Sequence, residues 1–174
     1  IVKVLIFKRK LKGDILPKDS KQIIQLIEDQ IEKTSGNLFA KKHTLLVFNP
    51  ASKRFNKVKR GSINSGLKTL MLIHGTFAST KGSFGEVYDW FKELVDRNHY
   101  QQIIAFDHPT LFDDAIENTK ALFEQFINFN IKAFKQPVDL IGASQGGLIA
   151  QYMANLPQQY MTVGKVMLVA SGNG

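Results

Sequence analysis

Residues 138–150 read VDLIGASQGGLIA. An apolar run ends in a small-residue turn, and a second apolar stretch follows. Gly142-x-Ser144-x-Gly146 has the spacing of a nucleophile elbow. The chemistry would be nucleophilic attack. A serine on a sharp strand-to-helix turn projects its hydroxyl above the sheet, and the residues two positions away must be small to avoid clashing. The helix that begins behind it aims free N–H groups and a positive dipole at the reaction centre. Three fixed positions recur by chance in roughly 5% of chains this long. Context therefore carries the assignment, and Ser144 lies between a predicted strand and a predicted helix.

Acyl transfer also needs donors aimed at the developing oxyanion. One is expected from the residue after the nucleophile, the Gln145 N–H. The other is expected from the loop in LIHGTFAST (72–80), at the Thr76 N–H, with Phe77 the next choice. His74 and Gly75 would shape that loop, as Gly142 and Gly146 shape the turn.

The activating base is missing. In this arrangement the chain order is Ser, then Asp or Glu, then His. The residues after Ser144, QGGLIAQYMANLPQQYMTVGKVMLVASGNG, contain none of these. Three explanations compete. The chain starts without Met and ends just after a predicted core strand, so a longer protein could supply the acid and the histidine beyond residue 174. The fold could instead be retained for binding, without catalysis. Or His108, in the loop after the FD strand, is an alternative base; the plainer reading of His108 is a loop histidine making a local hydrogen bond. His43 and His99 lie outside the expected site and read as structural.

The elements that would position these residues follow from periodicity. IVKVLIFKRKL (1–11) and HTLLVFNP (43–50) read as strands. SKQIIQLIEDQIEKT (20–34) reads as a helix with Ser20 as N-cap, and residues 51–66 as a basic hairpin arm or linker. After Gly66 strands are expected at 67–75, 101–109, 138–143 and 165–171. Helices are expected at 85–98, within 111–134 and at 145–156, and Phe123, Phe126, Phe129 and Phe134 are expected in the core. Strands and helices alternate, and the strands are short and apolar. That predicts an α/β fold: a mostly parallel sheet with helices on both faces. Residues 1–65 form a basic β/α segment, or the leading strands of the domain that occupies 66–174.

HGTF (74–77), STKGSFG (79–85), AFDHPT (105–110) and GASQGG (142–147) together resemble an α/β-hydrolase of the lipase/esterase type. More narrowly, they resemble a lipase-like domain of large bacterial proteins, sometimes found beside caspase-like peptidase domains. That group often has His-Ser-Arg-Gly-Gly where this chain has Ala143-Ser144-Gln145-Gly146-Gly147. The resemblance covers about residues 66–174. It implies a partial α/β-hydrolase fold, a small-molecule or lipid ester substrate, no cofactor, and adjoining domains in a larger chain.

Composition narrows the classes. The 174 residues hold no cysteine, which excludes disulfide scaffolds, Cys-ligated metals and a Cys nucleophile, and fits a cytoplasmic setting. No apolar run reaches the roughly 18 residues that span a bilayer. The net charge of +8 is lopsided: residues 1–68 carry 16 Lys/Arg against 5 Asp/Glu, whereas 69–174 carry 7 against 10. No RNA-binding aromatic motif or helix-turn-helix accompanies the basic part, which argues against nucleic acid as partner. No two histidines have metal-ligand spacing, so no metal is expected. GSINSGLKT (61–69) fails as a phosphate loop, because it leads into a strand rather than a helix.

Overall fold

The computed structural model describes residues 42–110, 113–156 and 160–171. The strand and helix expected within 1–34 lie outside these. Among the described residues six strands form one sheet: β1 (Thr44–Asn49), β2 (Arg54–Lys57), β3 (Thr69–Ile73), β4 (Gln102–Asp107), β5 (Val138–Ala143) and β6 (Val163–Val169). Their order is β2-β1-β4-β3-β5-β6. Pairings β3/β4, β3/β5 and β5/β6 are parallel, whereas β1 runs antiparallel to both β2 and β4. The basic arm is the β1–β2 hairpin, whose turn is held by Asn49 Oδ1 accepting the Ala51 and Ser52 N–H groups at 3.0 and 3.2 Å.

Four helices cross over between the parallel strands: α1 (Thr80–Phe84), α2 (Tyr88–Asp96), α3 (Ala115–Asn128) and α4 (Gln145–Asn155). Strand side chains alternate between two cores. Met71, Ile73, Ile104, Phe106, Val138 and Leu140 meet Leu122 and Phe126 of α3 and Ile149 and Met153 of α4. Leu70, Leu72, Ile103, Ala105 and Ile141 meet Phe84 and Phe91 on the other face. The fold is therefore α/β, with a mixed, mostly parallel sheet covered by helices on both sides.

Local chemistry sets the helix ends. The long helix predicted within 111–134 runs from 115 to 128. A capping box starts it, with Asp114 Oδ1 accepting from Ile116 and Glu117 and Glu117 reaching back to the Asp114 N–H. Beyond it Asn130 takes φ +55°, which turns Ile131 and Phe134 into the core. The short helix α1 was not expected; Ser79 caps it by accepting the Gly82 N–H at 3.2 Å. Residues 85–87 of the predicted 85–98 helix form a 3₁₀ turn ahead of α2.

One expectation is corrected. The strand expected at 165–171 is not a core strand. Among the described residues it is the last strand of the sheet, β6, with Met167, Leu168 and Val169 56%, 38% and 46% exposed. An apolar run reads the same whether its faces are covered or open, so composition alone could not place it.

Candidate active site

The order β4-β3-β5 creates a switch point. From β3 the chain crosses to β4 on one side, while from β5 it crosses to β6 on the other. The two loops diverge at the carboxyl ends of neighbouring strands, the usual ligand crevice of an open α/β sheet. Ile73 pairs with Gly142. Hence the loop from His74 and the turn at Ser144 start side by side.

Ser144 sits between β5 and α4 at φ 50°, ψ −117°. Such a backbone is costly for a residue with a Cβ, by about 1–3 kcal/mol. It persists because the surroundings leave the chain no alternative. The Ser144 N–H donates to the Val169 carbonyl at 2.8 Å, and its own carbonyl accepts the Gly147 N–H at 3.0 Å. Ser144 is exposed, and among the described residues its hydroxyl has no hydrogen-bond partner. The turn also requires bare backbone. A Cβ on Gly142 would lie 2.6 Å from the Gly146 carbonyl oxygen, and one on Gly146 would lie 2.3 Å from the Ile73 carbonyl oxygen. These contacts seat α4 directly on β3. Gly75 is held as tightly: its Cβ would stand 2.7 Å from that of Ser144.

Thr76 and Gln145 come together across the crevice, with the Thr76 hydroxyl donating to Gln145 Oε1 at 3.3 Å. Gln145 is the first residue of α4, so its N–H has no intrahelical acceptor. Among the described residues neither the Gln145 nor the Thr76 N–H is engaged. Phe77 differs: its N–H donates to Thr110 Oγ1 at 3.0 Å.

Beneath the loop lies a cluster that spacing alone did not reveal. His74 and His108 are fully buried and stack with centroids 4.2 Å apart and planes 10° from parallel. His74 Nδ1 lies 2.8 Å from the Gly75 carbonyl oxygen, and its Nε2 accepts the His108 backbone N–H at 3.0 Å. Donor on one nitrogen and acceptor on the other, His74 is neutral. Burial pushes its pKa down to about 4, against the opposing pull of the Gly75 carbonyl. His108 places Nε2 3.1 Å from the His74 carbonyl and Nδ1 3.1 Å from the Pro109 carbonyl. Burial, reinforced by neighbouring His74, lowers its pKa to about 4 as well. Both its ring nitrogens face backbone carbonyls, so the ring ties one loop to another. Asp107 accepts the Thr80 N–H at 2.7 Å. Burial raises its carboxyl pKa, opposed by Thr80 and by His108. Thr110 and Asp107 were not among the expected site residues. They belong to the quoted phrase FDHPT, whose role depends on β4 lying beside β3.

A histidine–carboxylate pair does exist. His43 Nε2 lies 3.1 Å from Asp113 Oδ2 and 3.0 Å from Asn118 Oδ1, and its ring stacks on Phe106. It stands at the start of β1, however. Three strand spacings separate it from Ser144, roughly 14 Å, beyond the reach of the two side chains. An open groove lined by Lys68, Trp90, Tyr100, Asp139, Lys165 and Met167 lies at the opposite, amino ends of β3 and β5. Among the described residues no group of three His, Asp or Glu side chains could hold a metal, and no helix is long and apolar enough to cross a membrane.

Residues 36–174 match a family described as a domain of unknown function (DUF7379). No curated protein matches the sequence. Among solved structures, the chain is similar to LAE6, an alpha/beta hydrolase enzyme from the metagenome of Lake Arreo, Spain, crystallised as a serine-to-alanine mutant. Identity is 15% and the TM-score 0.38, over 79% of this chain and 46% of that one. It is also similar to a hyperthermophilic esterase from the archaeon Pyrobaculum calidifontis, at 14% identity and TM-score 0.38, over 84% and 56% of the two chains. A monoclinic form of the Pyrobaculum calidifontis esterase gives 15% and 0.36, over 82% and 48%. The chain spans about half the length of each.

Proposed function

The chain belongs to the DUF7379 family, and from that premise we propose that it carries the nucleophile half of an α/β-hydrolase-type serine hydrolase, acting on an ester, thioester or amide through an acyl-enzyme. The observation that carries the reading is Ser144 at φ 50°, ψ −117°, its exposed hydroxyl at the amino end of α4. A strained backbone at a tight strand-to-helix turn points to a use for the hydroxyl it exposes.

In this reading Ser144 Oγ attacks the substrate carbonyl and the Thr76 and Gln145 N–H groups hold the oxyanion. Phe77, its N–H given to Thr110, is set aside as a donor. The serine proton passes to a histidine supplied with its acid from outside these 174 residues. That histidine then protonates the leaving group, and water releases the acyl group. A serine without a base is a poor nucleophile, so the 174 residues alone are expected to turn over substrate slowly or not at all. The absence of Asp, Glu and His from residues 145–174 favours one other reading, a binding module that keeps the fold.

The test is a fluorophosphonate probe on the natural protein, read by intact mass, with Ser144→Ala as control. Ser144 Oγ would displace fluoride from phosphorus. One adduct, lost in the variant, supports the hydrolase. A folded protein that stays unlabelled turns the reading to the binding module.

A further inference from the structure

We propose that Thr110 is a positioning residue for the oxyanion hole: its hydroxyl holds Phe77 so that the preceding N–H, that of Thr76, is the one presented to Ser144. The inference rests on the hydrolase reading above.

Phe77 stands at φ +55°, a left-handed conformation that a bulky aromatic residue seldom adopts. Something outside the loop must impose it. The Thr110 hydroxyl, buried behind the loop, accepts the Phe77 N–H at 3.0 Å. With that N–H drawn inward, the loop turns at Phe77, and Thr76 is left exposed with its side chain on Gln145.

Thr110 is anchored through the residues that precede it. It ends a four-residue run, Asp107-His108-Pro109-Thr110, bound to the loop at successive points. Asp107 takes the Thr80 N–H, and His108 exchanges two hydrogen bonds with His74. The loop is thus clamped at its root by His74 and at its far end by Thr80. Thr110 is the contact between these clamps, beside the expected donor. Pro109 stiffens the run, since its φ is fixed by the ring.

The test compares Thr110→Val, which removes the acceptor at nearly constant shape, with Thr110→Ser, which keeps a hydroxyl. The readout is the second-order rate of fluorophosphonate labelling at Ser144 per folded molecule of the natural protein, with kcat and KM for a chromogenic ester. Removing an oxyanion donor outright costs about 10²–10³ in kcat. A displaced donor should cost roughly ten- to hundredfold in Thr110→Val, with KM within about twofold and Thr110→Ser near the wild type. Phe91→Leu, a core cavity on the other face of the sheet, should lower stability but leave the labelling rate alone. If Thr110→Val does not fold, Thr110→Ala replaces it. Labelling that is equal in wild type and Thr110→Val overturns the positioning role and leaves the hydrolase standing. So does a loss of rate that Phe91→Leu reproduces at matched stability. A wild type with no Ser144-dependent labelling overturns the hydrolase, and the positioning role with it.

Discussion

The Thr76 hydroxyl donates to Gln145 Oε1 at 3.3 Å, bridging the loop after β3 and the first turn of α4. Two residues expected from sequence as backbone donors are also joined through their side chains. The bond braces the crevice between exposed Thr76 and half-buried Gln145.

Gln145→Ala removes this brace and keeps the N–H. A single neutral, partly exposed hydrogen bond is worth about 1 kcal/mol or less, so the melting temperature should barely move. Labelling at Ser144 should fall by roughly three- to tenfold, since small misplacements of a donor are felt in rate. A larger loss of stability than of rate would show the bond to be structural.

Ser144→Gly should stabilise the protein while abolishing labelling. Glycine adopts φ 50° without a Cβ penalty, and relief of strain is worth about 1 kcal/mol after the added entropy of the unfolded chain is subtracted. Chemical denaturation of the two proteins side by side reads the sign. A less stable variant would mean that the turn is not strained.

Gly146→Ala should do the reverse of what helix propensity suggests. In an exposed helix the change gains about 1 kcal/mol. Here the new methyl would meet the Ile73 and His74 carbonyl oxygens at 2.3 and 2.4 Å, and backbone cannot move aside cheaply. A loss of more than about 3 kcal/mol, or failure to fold, is expected. A neutral outcome would show that α4 can lift off β3.

The stacked histidines predict a pH dependence of stability. Both titrate near 4 when folded and near 6.5 when unfolded. Between those values the unfolded chain binds more protons, so stability is complete above pH 6.5 and is lost as pH falls towards 4. The slope is at most about 1.4 kcal/mol per pH unit for each histidine. Asp107, with its pKa raised, works in the opposite sense and softens the fall. Melting curves from pH 7 to 4 should be flatter in His108→Asn than in the wild type; parallel curves would remove the pair from the acid response.

The strand, the small-residue turn at Ser144 and the helix after it were legible in the sequence, because their signals lie in adjacent residues; the Ile73 and Val169 carbonyls that hold the turn were not. Apolar period and small residues at a turn encode that much. The loop at 74–77 was legible too, with the Thr76 N–H ranked ahead of that of Phe77, though not the partner that takes the Phe77 N–H. That partner belongs to tertiary structure. Thr110 reaches Phe77, and His108 stacks on His74, because β4 lies beside β3, and strand order is not written in periodicity. The same holds for His43, which pairs with Asp113 but is kept from Ser144 by two intervening strands. It holds too for β6, whose residues Met167, Leu168 and Val169 read as core and are exposed among the described residues. Local sequence set the turn at Ser144; the order of strands decided which residues surround it.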